Sequence, residues 1–429
     1  MKIITASKYR KELTKSRGSI EKNAQLDEAV LAILSEVRKN GDEALRRYTE
    51  QFDLVSLDTL RVSDEEFQEA KGMVSPEFIA AMEAAKENIA SFHQEQKEHS
   101  WFTQPQSGVM LGQKVTPLSR VGIYIPGGKA AYPSTVFMNA LPAKIAGVLS
   151  IIITTPPQKN GKVNPHVLVA AEMAGVNEVY KVGGAQAIAA LAYGTETISK
   201  VNKIVGPGNA FVARAKKWVY GEVAIDMIAG PSEICVVADR TCHPSFAAAD
   251  LLSQAEHDEE AAAICIVNDE ETARLIDEEV NKQLAALERK QIAEKSIETN
   301  GRIVIAADLT EAFELVNLLA PEHLEIMTEN PMEQLQFVQN AGAIFLGDHS
   351  PEVLGDYFAG PNHTLPTSGT AAFASPLGIY DFMKKSSIIH YSQAAFSKAA
   401  DSIATIAKTE GLGAHARAAE IRKAASKDR

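Results

Sequence analysis

Short apolar segments and longer helical patterns alternate through the middle of the chain, at about 25–30 residues per pair. This spacing is typical of βαβ crossovers, in which a helix connects two parallel strands. The series begins with the strand VGIYI at Val121 and closes with EICVVAD, Glu233–Asp239. A second α/β stretch follows it. The alternation therefore predicts an α/β fold built on parallel sheets that are covered by helices.

The pattern predicts these helices in the two stretches: Ser134–Gly147, Val167–Ala174, Gln186–Tyr193, Asn209–Val219, Phe246–Glu256 and Glu270–Glu294. It predicts these further strands: Ser150–Thr154, Glu178–Val182, Lys203–Val205, Ala262–Val267, Arg302–Ala306 and Ala341–Gly347. A loop rich in Gly, Pro and Thr follows at Gly360–Thr370, and the last helices are predicted at Tyr391–Lys408 and His415–Lys427. Helices and strands thus alternate over most of these two stretches.

The first hundred residues have a helical pattern. Apolar residues recur at intervals of three and four from Val30 to Val37, and Gly41 stands where such a helix would stop. Ser63 with Glu66 three residues later predicts a capping box at a further helix start.

Composition limits the classes of function. Of 429 residues, 45% are hydrophobic, which is enough apolar surface to exclude disorder as the main state. With 43 Lys and Arg against 55 Asp and Glu, the net charge is −12, which disfavours a general nucleic-acid binder. The N-terminal sequence contains no apolar run of the secretory kind, and no run approaches the roughly 20 residues of a membrane span. We expect a soluble, cytoplasmic protein that binds neither nucleic acid nor membranes.

The three cysteines are too few for a disulfide framework. Cys235 and Cys265 fall in predicted buried strands, where a thiol behaves as a small apolar side chain. Cys242 stands in a loop beside His243. A nucleophilic cysteine is the less favoured alternative.

Three glycine-rich turns follow predicted strands: Tyr124–Lys129, Val182–Ala187 and Val205–Ala210. None has the GxGxxG or GK[ST] pattern of a nucleotide site. The turns are consistent with tight strand-to-helix connections and equally with a ligand at helix N-termini.

Two segments carry side chains suited to chemistry. Gln254 and His257 are three residues apart in a predicted helix and share a face, which suits either a metal or a solvated surface. His257 with Asp258 also resembles the dyad of metal-dependent phosphohydrolases. Glu322 and His323 are adjacent at a helix-to-strand junction, where they form an acid–base pair or an ordinary polar loop.

Taken together, eight segments resemble the histidinol dehydrogenase family over nearly the whole chain. They are VGIYIPGGKAAYPSTVFMNALPAKIAG, VGGAQAIAALAYGT, KIVGPGNAFVARAK, IDMIAGPSE, LLSQAEHD, APEHLEI, GDYFAGPNHTLPTSGTA and EGLGAH. The resemblance implies oxidation of L-histidinol to L-histidine through a bound aldehyde, with one Zn²⁺ per subunit and NAD. It implies two Rossmann-like parallel-sheet units, similar to aldehyde dehydrogenases, with helical N- and C-terminal arms.

The resemblance also implies roles for particular residues. Glu322 and His323 match the catalytic acid–base pair. The implied metal ligands are Gln254, His257, Asp356 and His415. The implied substrate contacts are Ser232, Gln254, His257, His323, Asp356, Glu410 and His415. The residues that line the NAD site are Tyr124, Gln186 and Asn209.

The implied protein is a homodimer in which the C-terminal arm completes the partner's active site. We expect an N-terminal arm over 1–22 and a C-terminal helical arm over 377–429. An NAD-binding domain is expected over 121–235, and a domain with the acid–base pair and metal ligands over 23–120 plus 236–376. Three alternatives remain. They are a dehydrogenase of another small alcohol on the same scaffold, such as a sulfonated diol, a metal phosphohydrolase built on His257 and Asp258, and a non-catalytic α/β binding protein.

Overall fold

Two parallel sheets organise the larger of the two units into which the chain divides, Met1–Gln96 with Leu118–Phe382. The computed structural model describes residues 1–16, 24–127, 131–176 and 178–425. The predicted α/β class with parallel sheets and helical termini is confirmed. None of the described helices is long and apolar enough to cross a membrane.

The five-stranded sheet has the order β6-β5-β4-β7-β8. Its strands are β4 (Arg120–Tyr124), β5 (Ser150–Thr155), β6 (Glu178–Lys181), β7 (Lys203–Val205) and β8 (Ala224–Ile225). Its helices are α2 (Ala24–Asp53), α3 (Asp64–Met73), α4 (Pro76–Gln94), α5 (Pro133–Ala146), α6 (Pro165–Ala174), α7 (Gly184–Tyr193) and α8 (Ala210–Val219). The backbone of α2 departs from helical geometry at Gly41, where a stop was predicted. The Ser63–Glu66 capping box is confirmed at the start of α3.

The six-stranded sheet has the order β1-β11-β10-β9-β12-β13. Its strands are β1 (Lys2–Thr5), β9 (Glu233–Ala238), β10 (Ala262–Val267), β11 (Arg302–Ile305), β12 (His323–Met327) and β13 (Ala343–Leu346). Its helices are α1 (Ala6–Ser16), α9 (Pro244–Ala255), α10 (Glu270–Leu284), α11 (Lys290–Thr299), α12 (Leu309–Leu319), α13 (Pro331–Gln334) and α14 (Glu352–Tyr357). Cys235 and Cys265 are buried on neighbouring strands, as predicted, and burial raises the pKa of both thiols.

The helices that precede the five-stranded sheet pack on that sheet. Buried residues of α2 share a hydrophobic core with α7 and α8, while α3 and α4 share the opposite core with α5 and α6. The predicted grouping of 23–120 with 236–376 is therefore wrong for its first part. An amphipathic pattern shows that a helix has an apolar face, but it does not show which sheet covers that face.

Two further predicted boundaries change. Strand β9 lies at the centre of the six-stranded sheet, so the boundary between residues 235 and 236 falls inside a strand of the other sheet. Strand β1 pairs with β11 and α1 contacts α12, so 1–16 belongs to this sheet and forms no separate arm. The rest of the predicted N-terminal arm, 17–22, lies outside the described residues.

The second unit comprises Lys97–Pro117 and Met383–Arg429. Its antiparallel sheet contains β2 (Trp101–Gln106), β3 (Val109–Pro117) and β14 (Met383–Tyr391), in the order β14-β3-β2. The helices α15 (Gln393–Thr409) and α16 (Gly413–Ala425) pack on each other. The predicted C-terminal arm is therefore helical only from Gln393 onward, because Met383–Tyr391 form strand β14. Residues 377–382 belong to the first unit, where Leu377 and Phe382 are buried in the core of the five-stranded sheet.

Candidate active site

The predicted acid–base pair lies at the amino end of β12. Helix α12 ends at Ala320, in a left-handed conformation, and the chain turns directly into the strand. Glu322 Oε2 accepts a hydrogen bond of 2.8 Å from the backbone N–H of Glu233, at the start of the neighbouring strand β9. The ring nitrogen Nδ1 of His323 lies 3.0 Å from the backbone carbonyl oxygen of Glu233. Both side chains are therefore held against the first residue of β9.

The contact with Glu233 determines which nitrogen of His323 carries a proton. A carbonyl oxygen only accepts hydrogen bonds, so Nδ1 must donate. In the neutral ring, Nε2 then keeps a free lone pair. This atom is buried and makes no hydrogen bond to any residue that the structure describes, and Asp356 Oδ1 lies 3.7 Å away. His323 thus presents an unused base to the space beside Asp356.

Burial and neighbouring charges tune the pair. Burial raises the pKa of Glu322 to about 8. For His323, burial alone lowers the pKa, but the negative charges of Glu322 and of Asp356, 3.7 Å from Nε2, outweigh it and raise the pKa. Two proton acceptors with pKa values shifted toward or beyond neutrality therefore stand side by side, as general acid–base chemistry requires.

Three of the four predicted metal ligands come together next to this pair. Gln254 and His257 lie at the carboxyl end of α9, and Asp356 lies on α14. Ligand atoms of His257, Asp356 and the buried Glu352 lie within 4.8 Å of one another. One terminal atom of the Gln254 amide lies 2.9 Å from Glu352 Oε1. We call Gln254, His257, Glu352 and Asp356 the donor cluster.

Glu352 was not predicted from the sequence. It lies four residues before Asp356, a spacing that places both carboxylates on one face of a helix, and this signal could have found it. Its backbone N–H donates to Glu325 Oε1 at 2.6 Å, and its Oε2 accepts from Ser253 Oγ at 2.6 Å. These contacts direct Oε1 toward Gln254.

The donor cluster fits a divalent cation. Buried carboxylates are costly unless they are paired or bind a metal. Burial opposes ionisation of Asp356, yet its closeness to His323 and to other histidines lowers its pKa. The cluster combines imidazole nitrogen, carboxylate oxygen and an amide, and the first two are common zinc ligands. Asp258 does not join it, because its Oδ1 accepts from Glu260 N in the turn after α9.

Ser232 and His363 lie around the same edge. Ser232 is half-buried and directly precedes β9, where its carbonyl accepts from Ala262 N at 3.0 Å. His363, also missed from the sequence, has Nδ1 3.0 Å from the Asp356 carbonyl and Nε2 3.2 Å from Thr135 Oγ1. Its position in the loop PNHTLP, between two prolines, was the available signal.

Glu410 and His415 belong to the second unit. Glu410 caps α15 and His415 lies in the first turn of α16, and both side chains are exposed in the single chain. Their contribution to a metal and substrate site stays a prediction.

A second set of predicted residues lies at the carboxyl edge of the five-stranded sheet. Tyr124 ends the central strand β4, Gln186 is in the first turn of α7 after β6, and Asn209 caps α8 after β7. From β4 the chain runs outward on one side to β6 and then returns to the other side as β7. The gap between β4 and β7 is the switch point where open α/β sheets bind ligands.

Among the three predicted residues at this edge, Gln186 has an unused acceptor. Tyr124 is buried, which raises its pKa to about 12, and its hydroxyl oxygen accepts from Gly184 N at 3.1 Å. Asn209 Oδ1 accepts from Val212 N at 3.2 Å. Gln186 Oε1 is buried without a hydrogen-bond partner in the described ranges, as expected for a group awaiting a ligand. In the first glycine-rich turn, Gly128 and Lys129 lie outside the described residues.

Known proteins resemble the chain over nearly its whole length. The protein-family model for histidinol dehydrogenase matches residues 16–423. The histidinol dehydrogenase of Oceanobacillus iheyensis is 56% identical over 423 residues, which are 99% of both chains. That of Bacillus subtilis is 55% identical over 394 residues, 92% of each. The crystal structure of histidinol dehydrogenase from Elizabethkingia anophelis is 40% identical with a TM-score of 0.91, covering 94% of this chain and 93% of that one.

The fold and these similarities define the chain as an α/β oxidoreductase. At the level of family, it belongs to the histidinol dehydrogenases.

Proposed function

We propose that the protein oxidises L-histidinol to L-histidine through bound L-histidinaldehyde, the last two steps of histidine biosynthesis, with Zn²⁺ and NAD. The observation that carries the proposal is the meeting of the Glu322–His323 pair with the donor cluster at one edge of the six-stranded sheet. Four electrons leave the substrate, as two hydrides in succession.

His323 is proposed as the base of the first step. An alcohol releases a hydride readily only when its hydroxyl proton is removed as well. The free lone pair on Nε2 takes this proton, while Nδ1–H stays bound to the carbonyl of Glu233. The product of the step is an aldehyde.

Glu322 is proposed to act between the two oxidations. The aldehyde has no second hydride to give until water adds to its carbonyl and forms the hydrate. The carboxylate of Glu322 takes a proton from the attacking water, and its raised pKa makes it a stronger base than an exposed glutamate. His323, after releasing its first proton, takes the hydroxyl proton of the hydrate, and the second hydride leaves to give the acid.

The metal ligands are proposed to be Gln254, His257 and Asp356, with His415 of the partner subunit. When bound, Zn²⁺ would bind the ring and amino nitrogens of the substrate and offset the negative charge of the surrounding carboxylates. Ser232, His323 and Glu410 of the partner subunit complete the proposed substrate contacts. Neither of these nitrogens takes part in the oxidation, so contacts to them would leave the reacting carbon free and keep the aldehyde in place between steps.

Tyr124, Gln186 and Asn209 are proposed to line the NAD site. NAD supplies the hydride acceptor. The unpartnered Oε1 of Gln186 and the N-termini of α7 and α8 support a ligand with hydroxyl and phosphate groups at this edge.

A steady-state assay with histidinol and NAD, followed by NADH absorbance, tests the proposal. We expect two NADH per histidinol, loss of activity after chelation, and recovery on adding Zn²⁺. A parallel assay under the same conditions replaces histidinol with a sulfonated diol. NADH from the diol alone would assign the protein to another alcohol on this scaffold, and no NADH from either would contradict dehydrogenase activity.

Sharing of the site across a homodimer has its own test. A His415→Ala chain and a His257→Ala chain, each inactive alone, should regain one intact site when mixed into a dimer. Activity of up to about a quarter of wild type is expected, because half of the dimers are mixed and each has one of two sites. Mixed dimers without activity would contradict the sharing.

A further inference from the structure

A buried ion pair holds the turn between β7 and α8. The turn begins at Gly206, whose φ of +107° favours glycine. A Cβ at this position would lie 2.2 Å from the carbonyl oxygen of Tyr124, so the backbone of the turn runs directly against the end of β4. No side chain fits between the two strands here.

Both polar groups of Gly206 are bound by one pair of oppositely charged side chains. Its N–H donates to Asp226 Oδ2 at 2.8 Å, and its carbonyl accepts from Lys216 Nζ at 2.9 Å. Lys216, from α8, and Asp226, after β8, also form an ion pair, with side chains only 3% and 1% exposed. The Asp226 carboxylate accepts from Met227 N as well.

Such a pair needs an explanation other than stability. Removing two charges from water costs several kcal/mol per ion, and buried ion pairs are often no more stabilising than apolar residues of the same size. What the pair does provide is a unique position for Gly206, since its N–H and C=O are held by two different elements. Three residues later the same turn ends at Asn209, the N-cap of α8.

From this geometry we infer that the Lys216–Asp226 pair is a positioning device for the dinucleotide. It fixes the turn 206–209 against Tyr124 and so sets the spacing of the two strand ends that flank the switch point. The inference rests on the proposed NAD site at this edge. Lys216 and Asp226 are positioning residues, since neither is proposed to touch the dinucleotide.

The test compares two buried lysines on the full-length protein. Lys216→Met removes the ammonium group that holds Gly206. Lys203→Met is the matched control, because Lys203 lies at the other end of β7 and forms a buried pair with Asp381 at 2.6 Å, away from the turn. We expect Lys216→Met to weaken NAD binding about tenfold or more, measured by fluorescence titration. The KM for NAD should rise in parallel, while kcat at saturating NAD changes less than threefold. Lys203→Met should bind NAD as the wild type does.

The double variant Lys216→Met/Asp226→Leu separates positioning from folding. It removes both buried charges, so we expect it to unfold at a temperature near that of the wild type. Its NAD affinity should remain low, because Gly206 has lost both partners. Wild-type affinity in either Lys216 variant would overturn the inference and leave the proposed function standing. A wild-type protein that does not bind NAD would overturn both.

Discussion

The two parallel sheets of the first unit carry their candidate residues at opposite edges. In the five-stranded sheet, Tyr124, Gln186 and Asn209 follow the carboxyl ends of strands. In the six-stranded sheet, Ser232 and the Glu322–His323 pair stand at the amino ends of β9 and β12. The same architecture is thus used in two opposite ways within one chain.

The helix ends that meet each edge explain the difference. At the carboxyl edge of a parallel sheet, helices begin, so free N–H groups and the positive end of the helix dipole face a ligand. At the amino edge, helices end, and their negative ends face the ligand. Helix α9 ends beside Gln254 and His257, and α12 ends just before Glu322. The first edge suits phosphates, and the second suits a cation and a protonated imidazole.

The comparison predicts that changes at each edge affect different quantities. Substitutions at the amino edge of the six-stranded sheet should alter turnover and metal affinity without altering NAD affinity. Substitutions at the carboxyl edge of the five-stranded sheet should do the reverse.

The largest effect is expected for His323. In His323→Asn the shorter amide keeps a donor near Nδ1 for the carbonyl of Glu233 but loses the base at Nε2. We expect kcat to fall by about 10²–10⁴, the range for loss of a positioned base, with the NAD dissociation constant unchanged. The kcat of Glu322→Gln should fall by a factor in the same range. Its oxidation of added aldehyde should be slowed more than the first hydride step.

The exposed His243, at the N-cap of α9, provides the matched control. His243→Asn should keep wild-type kcat. A His323→Asn enzyme with near-normal turnover, or with NAD affinity lost in parallel, would break the division between the edges.

A smaller effect is expected for Glu352. Its Oε1 contacts the Gln254 amide, and Glu352→Gln removes the negative charge while keeping the shape. Loss of a group that orients a metal ligand costs about 10–100-fold in metal affinity. Competition with a zinc chelator measures this, and the exposed Glu270→Gln serves as control. Unchanged zinc affinity would show that Glu352 does not contribute to the cluster.

Local pattern predicted β4, β5, β6 and β7 of the five-stranded sheet, because each has its own apolar run between turn signals. The two-residue β8 was missed, and EICVVAD, predicted to close this series, forms β9 of the other sheet. Strand β1 was missed, since four residues, only one of them buried, carry no recognisable periodicity. The antiparallel strands β2, β3 and β14 were missed as well. The pairing of β14 with β3 joins segments more than 260 residues apart, and most side chains of all three strands are at least partly exposed.

The candidate site was predicted unevenly for a similar reason. Gln254 and His257 are three residues apart in sequence, and Glu322 and His323 are adjacent. The closeness of the two members of each pair is therefore local. Glu352 and the Lys216–Asp226 pair act through contacts that only the folded chain creates. Sequence spacing indicates which residues share a helix face, but not which strand end that face meets.

At the carboxyl edge of the five-stranded sheet, Gln186→Ala tests the amide oxygen that has no partner among the described residues. Loss of one hydrogen bond to a ligand corresponds to about 1 kcal/mol, or roughly a fivefold weaker NAD affinity. The melting temperature should hardly change, because Oε1 has no partner to lose within the described chain. Fluorescence titration with NAD and a thermal melt measure both. A fall in zinc affinity instead would contradict the separation of the edges.

The smallest effect is expected for Asp53, a half-buried carboxylate near the carboxyl edge of the five-stranded sheet. Asp53 ends α2 close enough to Tyr124 for its charge to raise that pKa, and its Oδ2 is buried with no partner among the residues described. Burial raises the pKa of Asp53 from 3.8 to about 6, so the folded protein is destabilised by the charged form above pH 6 and not below about pH 4. Because the side chain is partly exposed, we expect Asp53→Asn to stabilise by only about 1 kcal/mol at pH 8, and by clearly less at pH 4.5, where the folded protein holds this carboxyl group protonated. Urea unfolding at both pH values measures this, with the exposed Glu28→Gln on the same helix as control. An equal gain in unfolding free energy at both pH values would mean that burial does not disfavour the charged form of Asp53. The carboxyl edge of the five-stranded sheet would then tolerate negative charge as readily as the edge with the donor cluster.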